Sequence, residues 1–284
     1  MTGAVHLPRQ ALNKSLMTES EEIQNHKSLY DSLVEIIKDR FDTTSLGVVA
    51  LSGGVDSALV AHAAHAALGD KCLAVTVQSE FTTPRDFTRA VEISELIGIE
   101  HHPLIMRMLA DENVRRNDSE RCFHCKRAIF RMMRFEYGDH CLFMDGTNAD
   151  DDLERPGRKA LREFGVFSPL EKAGLTKSMV RQLARLVGLP NWDTPSESCL
   201  ATRLPVGTPL DAEGLERVRL MENFFHERGV DTLRAYHDNL MATVTFKPEY
   251  ADIMEKNRDN FMALITRLGL RSFIYKIWNE PDAD

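Results

Sequence analysis

Continuous apolar runs alternate with helical periodicity along the first part of the chain. Residues 46–51 and 72–79 are short apolar runs, which are typical of strands buried on both faces of a parallel sheet. Two more strands are predicted over 101–106 and 140–144. A helix is predicted over 21–40, where isoleucine and leucine recur at helical spacing. This alternation predicts an α/β fold built on a doubly wound parallel sheet.

Glycine and proline positions predict where the next helices begin and end. An alanine-rich helix follows the first strand and runs to Leu68. Pro84 begins another helix, which ends near Gly98, because proline suits the first turn of a helix and glycine the position after its last turn.

The pattern changes after Gly188. Four prolines and Gly207 fall between residues 189 and 210, which predicts a long ordered loop. Beyond it, the predicted elements are a helix over 212–228, strands over 232–236 and 242–247, a helix over 250–268 and a strand over 271–278. Their α-β-β-α-β order predicts a second, smaller α/β domain.

The chain length agrees with this division, since 284 residues correspond to about two domains. The predicted organisation is a loose N-terminal arm over 1–20, the sheet domain over 21–190, a loop that carries Cys199 over 191–210, and a substrate or oligomerisation domain over 211–284.

Composition and charge exclude several classes of protein. The net charge of −8 argues against a protein that grips nucleic acid over a large face, because such proteins carry a basic excess. No apolar run is long enough to span a membrane, and the first residues lack the apolar stretch of a secretion signal. The odd count of five cysteines fits a reducing cytoplasm with reactive or metal-binding thiols.

A glycine turn follows the first apolar run and leads into the alanine-rich helix. It reads Ser-Gly-Gly-Val-Asp-Ser over residues 52–57, and its glycines let a phosphate approach the backbone closely. Backbone N–H groups and the helix N-terminus then offer hydrogen-bond donors. Asp56 would repel a phosphate unless a cation lay between them, which predicts a bridging Mg²⁺. The predicted pyrophosphate-binding residues are Ser52, Gly53, Gly54, Asp56 and Ser57.

The glycine turn lacks the lysine of the G-x-x-x-x-G-K-[ST] loop, which argues against a kinase or a GTPase. It resembles the S-G-G-x-D-S loop of the PP-loop ATP pyrophosphatases, which split ATP into AMP and pyrophosphate and adenylate an oxygen of their substrate. By analogy with nucleotide-binding folds, the base is expected at the end of the second strand, at Val77, Gln78 and Ser79.

Three cysteines form a second candidate site. Cys122 and Cys125 form a C-x-x-C at the start of a predicted helix, and Cys199 lies in the long loop. Three interpretations are open: a zinc site with His124 or His140 as the fourth ligand, a redox dithiol, or a 4Fe-4S cluster held by three thiolates with one iron left open.

Other residues bear on this second site. Four basic side chains would stabilise an anionic cluster or lower the thiol pKa values, namely Arg121, Lys126, Arg127 and Arg203. Cys72 and Cys141 begin predicted strands, and both are expected to be small core residues.

Two further segments make the resemblance specific. Residues 145–152 read Asp-Gly-Thr-Asn-Ala-Asp-Asp-Asp, with Arg-Pro-Gly at 155–157, and residues 198–203 read Ser-Cys-Leu-Ala-Thr-Arg. Together with the glycine turn, they resemble the LarE family of ATP-dependent sulfur transferases, which build the nickel-pincer nucleotide cofactor of lactate racemase. The resemblance runs from about residue 30 to the end of the sequence.

The resemblance implies a reaction. ATP adenylates a carboxylate of pyridinium-3,5-biscarboxylic acid mononucleotide, sulfur displaces AMP to leave a thiocarboxylate, and the second carboxylate follows. Adenylation is needed because a carboxylate oxygen is a poor leaving group, and Mg²⁺ on Asp56 would neutralise the pyrophosphate as its charge builds.

The resemblance also implies binding residues. Thr202 and Arg203 match the phosphate-binding position beside the cysteine, Arg234 is a weaker candidate, and Gly146 belongs to the predicted cofactor-binding set. The acidic segment 150–154 is either a second Mg²⁺ contact or a solvated acidic turn. A homo-oligomer is expected, and the sulfur donor is open.

The family has two branches that differ in the sulfur source. One spends the sulfur of a single cysteine, which becomes dehydroalanine, and Cys199 matches that position. The other holds a 4Fe-4S cluster on three cysteines, and Cys122 and Cys125 complete that set. The cluster branch is favoured, because a cysteine that ligates iron cannot also be spent in each turnover.

Three alternatives are weaker, two from the same superfamily and one from another functional class. A PP-loop tRNA thiolation enzyme with the same cluster would need a basic, salt-sensitive footprint. An amide-forming synthetase that uses ammonia would leave the three cysteines unexplained. A non-enzymatic metal or Fe–S carrier would leave the glycine turn without a role.

Overall fold

The structure, a computed structural model, describes residues 19–41, 46–195, 198–238 and 240–278. The predicted loose arm over 1–20 lies outside these residues except for its last two, which begin helix α1 (Glu19–Phe41). Within the described ranges, no helix is both long and apolar enough to cross a membrane.

Four parallel strands form the central sheet, which confirms the predicted fold class. They are β1 (Leu46–Ala50), β2 (Cys72–Gln78), β3 (Glu100–Ile105) and β4 (Cys141–Met144), in the spatial order β3-β2-β1-β4. The strand order therefore reverses between β1 and β4. In doubly wound sheets, ligands bind in the crevice at the carboxyl ends of the strands at such a reversal.

Helices cover both faces of this sheet. They are α2 (Val55–Leu68), α3 (Pro84–Ile97), α4 (Glu112–Arg115), α5 (Arg121–Tyr137), α6 (Gly157–Phe164), α7 (Pro169–Lys172) and α8 (Lys177–Leu186). One hydrophobic core joins α1, α2 and α8 to the sheet, and a smaller one joins α5 and α6 to the opposite face. Helix α3 begins at Pro84, with the Thr83 hydroxyl accepting from the Asp86 N–H, and it ends at Gly98 with φ of 78°, as predicted.

A smaller mixed sheet follows in the last part of the chain. Its elements are α9 (Ala212–His226), β5 (Leu233–His237), β6 (Met241–Phe246), α10 (Ala251–Lys256), α11 (Arg258–Arg267) and β7 (Ser272–Ile277). Strand β6 pairs antiparallel with β5 and parallel with β7. The prediction of one continuous helix over 250–268 was wrong, because it breaks at Asn257, whose side-chain amide donates to the Ile253 carbonyl at 2.8 Å.

The core beneath the smaller sheet reaches back into the first part of the chain. Phe225 and Phe261 are fully buried in it, and Phe81, Met108 and Val114 belong to the same cluster. The loops after β2 and β3 are therefore packed against the second sheet. The predicted loop over 191–210 runs between the two parts and contains a 3-10 helix at Leu200–Arg203.

Candidate functional site

The glycine turn lies between β1 and α2, at the carboxyl edge of the sheet. Gly53 has a φ of 81°, and a Cβ there would lie 2.7 Å from the Asp86 carbonyl oxygen, so only glycine fits. The Ser57 hydroxyl accepts from the Ser52 N–H at 3.1 Å and donates to the Gly54 carbonyl at 3.0 Å, which closes the turn. The residue at position 52 remains exposed, so the turn faces an open crevice.

The segment after β4 packs against this turn. A Cβ on Gly146 would lie 2.7 Å from the backbone nitrogen of Ser57. The Asn148 side-chain amide donates to Asp56 Oδ1 at 3.1 Å. Two motifs that are far apart in the sequence therefore meet at the strand-order reversal, where a nucleotide site is expected.

The predicted base-binding residues lie at the same edge of the sheet. Val77 and Ser79 are at the carboxyl end of β2, which neighbours β1. The Val77 carbonyl accepts from the Thr82 hydroxyl at 2.9 Å, and the Ser79 hydroxyl accepts from the Phe81 N–H at 3.2 Å. These bonds shape the wall beside the glycine turn, and the base-binding role stays a prediction.

Lys177 is a residue of this site that the sequence did not reveal. It begins α8, and its ammonium group contacts the Asp56 carboxylate, where the sequence predicts a cation. Its backbone N–H donates to Asp150 Oδ2 at 2.7 Å, which fixes the start of the helix. A single lysine after a threonine cap has no distinctive spacing, so only the fold brings it to the glycine turn.

The acidic segment after Asn148 is engaged in its own turn. Asp150 accepts the Lys177 N–H, and Asp151 accepts the Asn148 N–H at 2.9 Å and pairs with Arg155 at 3.0 Å. Those carboxylates shape the loop that presents Asn148 to Asp56. Their contacts support the interpretation as an acidic turn over that of a second Mg²⁺ contact.

Lys126 connects the nucleotide site with the helix that carries the C-x-x-C. Asp145 is buried at the end of β4 and accepts from the hydroxyls of Thr147 and Ser168, both at 2.6 Å. Lys126 Nζ lies 3.5 Å from the same carboxylate. The lysine side chain passes over Gly157, where a Cβ would approach its Cδ to 3.0 Å. The glycine of the Arg-Pro-Gly motif therefore leaves room for Lys126.

The start of α5 and the loop beyond residue 198 bring three cysteines into one region. Cys122 and Cys125 are one helical turn apart, and Cys122 and Cys199 are exposed. Burial raises the pKa of the Cys125 thiol to about 12, and the charges of Cys199 and Cys122 add to the rise. The three thiols are therefore near enough to influence one another's pKa, and their role as one site stays a prediction.

The pKa of the Cys199 thiol is raised by burial, while the positive charge of Arg121 opposes the rise and the charge of Cys122 adds to it. The other two cysteines lie elsewhere. Cys72 is buried in the main core, and Cys141 donates to the Tyr137 carbonyl at 3.0 Å.

A single-ion site is not formed by these residues as they stand. In the part of the chain that the structure describes, no three His, Cys, Asp or Glu side chains are grouped closely enough to hold one metal ion. His140 lies beyond the far end of the 17-residue helix α5. That helix is about 25 Å long, so His140 is not a ligand beside Cys122 and Cys125, and that alternative was wrong.

Arg203 is held firmly beneath the cysteine loop. Its Nε donates to Glu222 Oε1 at 2.8 Å, and one terminal nitrogen donates to the hydroxyls of Ser198 at 2.7 Å and Thr202 at 3.0 Å. Burial opposes its charge, but Glu222 outweighs this and raises the pKa of Arg203. The phosphate-binding role predicted for Thr202 and Arg203 stays a prediction.

A cavity of about 390 Å³ opens beside Arg203. It lies between the end of the cysteine loop and strands β5 and β6, with Tyr236 and His237 in its wall. Arg234 is two residues from Tyr236 on β5 and therefore on the same face of the strand. Its guanidinium lies 4.4 Å from the centre of the Trp278 ring.

Known proteins are similar to this chain over about three quarters of its length. The NAD synthase family model matches residues 21–121, which contain the glycine turn. The uncharacterized protein slr1717 of Synechocystis is 32% identical over 78% of this chain and 84% of its own. The pyridinium-3,5-bisthiocarboxylic acid mononucleotide synthase of Lactiplantibacillus plantarum is 30% identical over 75% of this chain and 77% of its own. Protein MJ0830 of Methanocaldococcus jannaschii is 23% identical over 78% of this chain.

The parallel sheet, the glycine turn at its reversal and the family match define an ATP-dependent enzyme of the PP-loop ATP pyrophosphatase class. Within that class, the chain belongs to the LarE family, as the similarity to the Lactiplantibacillus synthase shows. The resemblance predicted from the three sequence motifs is thereby confirmed.

Proposed function

We propose that this protein is a sulfur transferase of nickel-pincer cofactor biosynthesis. It uses ATP to adenylate the carboxylates of pyridinium-3,5-biscarboxylic acid mononucleotide and converts them to thiocarboxylates. The observation that carries the proposal is the path from the nucleotide site to the cysteines. Lys126 follows Cys125 directly, and its ammonium group reaches Asp145, the neighbour of Gly146 at the glycine turn.

The glycine turn would bind the phosphates of ATP. The N-cap residue of α2, Gly54, makes no side-chain cap hydrogen bond, and Ser52 is exposed beside it. Mg²⁺ would be held by Asp56. In the structure the carboxylate of Asp56 contacts another positive charge, the ammonium group of Lys177. When bound, Mg²⁺ would neutralise the pyrophosphate that departs.

The substrate would lie between the nucleotide site and the cysteines. The cavity beside Arg203 suits the phosphate of a mononucleotide, since it offers the Thr202 hydroxyl and the guanidinium, with Arg234 on the adjoining strand. A carboxylate of the substrate would then face Lys126. The positive charge of this lysine would stabilise the negative charge of the carboxylate and then that of the phosphate in the acyl-adenylate.

The three cysteines would hold a 4Fe-4S cluster. Each of the three thiolates would bind a different iron of the cluster, and the fourth iron would be left open. Arg121 and Lys126 supply positive charge next to the thiols. When bound, the cluster would supply the sulfide that displaces AMP.

Iron and acid-labile sulfide per chain test this proposal after anaerobic reconstitution. We expect about four of each. Both contents should fall in Cys122→Ala and in Cys199→Ala, and the matched control Cys141→Ala should keep them. An iron-free protein in which Cys199 loses the mass of its sulfur after ATP and substrate are added would instead support the sacrificial route.

Pyrophosphate release identifies the substrate class. We expect release when the pyridinium mononucleotide is added together with ATP, and none with tRNA in its place. Release with tRNA would support the alternative of a tRNA thiolation enzyme with the same cluster, which the net charge of −8 does not favour. Ammonia-dependent release without sulfur transfer would support an amide-forming synthetase.

A further inference from the structure

The segment before the C-x-x-C is fastened to the loop that carries Cys199. Backbone bonds run from the Leu210 N–H to the Arg115 carbonyl at 2.7 Å and from the Gly207 N–H to the Asn117 carbonyl at 2.8 Å. The side-chain amide of Asn117 adds two more, to the carbonyls of Pro205 at 2.9 Å and Thr208 at 3.0 Å. Four hydrogen bonds therefore join two segments that are about 90 residues apart in the sequence.

Asn117 is placed in an unusual backbone conformation for this task. It is fully buried, and its φ is 56°, in the left-handed region that side chains other than Asn and Asp seldom adopt. Both N–H groups of its amide are used on the loop, and its amide oxygen accepts from Arg121. Both the nitrogen and the oxygen of the Asn117 side-chain amide therefore have hydrogen-bond partners.

Arg121 continues the connection as far as the cysteines. Its side chain is buried at the start of α5, immediately before Cys122. One terminal nitrogen donates to the Ala201 carbonyl at 2.9 Å, two residues after Cys199, and the other lies 3.7 Å from the Cys122 sulfur. A buried guanidinium is costly unless its donors are used, and here they are used to join the two cysteine-bearing segments.

We propose that Asn117 and Arg121 are positioning residues, which hold the Cys199 loop against the start of α5 before any metal binds. This inference deepens the proposed function, because it concerns the assembly of the same site. The protein itself gathers the three thiols, and the cluster enters a site that is already formed. A purely metal-driven assembly would leave the Cys199 loop away from the helix in the metal-free protein.

Cross-linking of metal-free protein with a short bifunctional thiol reagent measures the arrangement directly. Peptide mass spectrometry separates the cross-links of Cys199 to α5 from the cross-link between Cys122 and Cys125. The latter pair is set by the helix alone and serves as an internal reference. In the wild-type protein we expect both kinds of cross-link.

Two variants remove the hydrogen bonds that Asn117 and Arg121 make to the Cys199 loop, here called the clamp. Asn117→Gly keeps the left-handed backbone and removes the side chain, and Arg121→Gln removes the guanidinium. In each, the Cys199 cross-link should fall about tenfold against the reference, the effect expected when a pair of buried hydrogen bonds is lost. Arg121→Lys should restore part of it, and the exposed control Arg131→Gln should change nothing.

Unchanged Cys199 cross-linking in a folded Asn117→Gly or Arg121→Gln variant, as judged by circular dichroism, would overturn the inference, and so would its absence in the wild-type protein. The iron content after reconstitution keeps this outcome separate from the proposed function. If the wild-type protein cross-links as expected but takes up no iron, the positioning role of Asn117 and Arg121 stands and the proposed cluster is refuted.

Discussion

Lys177 and Asp56 are in contact although 121 residues separate them in the sequence. The pair lies at the reversal of strand order, with both side chains mostly buried, at 28% and 20% exposure. Asp56 also accepts from Asn148, so each oxygen of its carboxylate has a partner in the structure. Binding of Mg²⁺ to Asp56 would free the lysine ammonium to face the phosphates.

Lys177 is therefore expected to contribute to adenylation. In Lys177→Met, we expect substrate-dependent pyrophosphate release to fall by about 100-fold, because one charged donor to the developing phosphate charge is lost. Lys172→Met, at an exposed position on the neighbouring helix α7, is the matched control. Wild-type rates in Lys177→Met would show that the contact only keeps Asp56 in place.

Gly146 is expected to be essential for the shape of the nucleotide site. In Gly146→Ala, the new Cβ would collide with the backbone of Ser57, at 2.7 Å, and displace the start of α2. We expect the affinity for ATP, measured by calorimetry, to fall by about tenfold or more. Gly165→Ala, which has open space around its Cβ but a φ of 62°, should lose stability and keep its ATP affinity.

Cys122→Ala is expected to separate the two halves of the reaction. ATP binding should persist, because the glycine turn does not involve this residue, and sulfur transfer should stop short of multiple turnovers. The measurement is thiocarboxylate product per chain against time, with Cys141→Ala as the control. Normal multiple turnover in Cys122→Ala would refute the cluster mechanism.

The ion pair between Arg203 and Glu222 is expected to stabilise the second sheet against the cysteine loop. Both side chains are buried, at 4% and 7% exposure, and Glu222 also accepts from the Ala235 N–H at 3.0 Å. Glu222→Gln leaves the guanidinium without its counter-charge, and we expect unfolding free energy to fall by about 3 kcal/mol. Urea denaturation measures it.

An exposed pair provides the comparison for this prediction. Glu213 is 76% exposed and contacts Arg217 at 2.6 Å. Glu213→Gln is expected to cost less than about 0.5 kcal/mol, because solvent screens exposed charges. Equal losses in the two variants would mean that burial does not strengthen the pair beneath Cys199.

The stability of the protein is expected to fall as the solution becomes mildly acidic. Burial, with a smaller effect from His65, lowers the pKa of His62, whose Nδ1 is 2.6 Å from the Tyr30 hydroxyl. The unfolded chain, with an ordinary histidine pKa of about 6.5, therefore binds the proton more readily than the folded one. His62 therefore leaves the stability unchanged above about pH 6.5, and the stability falls as the pH drops from there through the lower pKa of the folded state.

Urea midpoints between pH 7 and pH 5 test this dependence. Replacement of His62 by Gln should make the decline shallower without abolishing it, because burial also lowers the pKa of His101 and His226. An equally steep decline in His62→Gln would assign the pH dependence to other groups.

Local patterns were enough to predict the sheet and its glycine turn. The apolar runs at β1 and β2 are short, a glycine turn follows β1, and Pro84 and Gly98 mark the ends of α3. These signals work because strand burial and helix capping depend on residues close in sequence. The break at Asn257 was not predicted, because it depends on a single hydrogen bond from the Asn257 side chain to the Ile253 carbonyl.

Partners that are far apart in sequence could not be predicted in the same way. Asn117, for example, donates to the carbonyl of Pro205, 88 residues away, and so joins the segment before Cys122 to the loop that carries Cys199. Likewise, Glu222 carries no motif that would reveal its pairing with Arg203. The family resemblance implies that the three cysteines converge, which stays a prediction.

Both parts of the chain contribute side chains to the core beneath the smaller sheet, so neither part can be exchanged on its own. Phe81, Met108 and Val114 are contributed by the first part of the sequence and are buried among residues of the last part. A fragment cut at residue 190 would present these three side chains to water, and the remaining fragment would lack them. A chimera of two relatives joined at residue 190 would therefore combine core residues from two different proteins. Such a chimera should fold only when the loops after β2 and β3 come from the same relative as the part of the chain after residue 190.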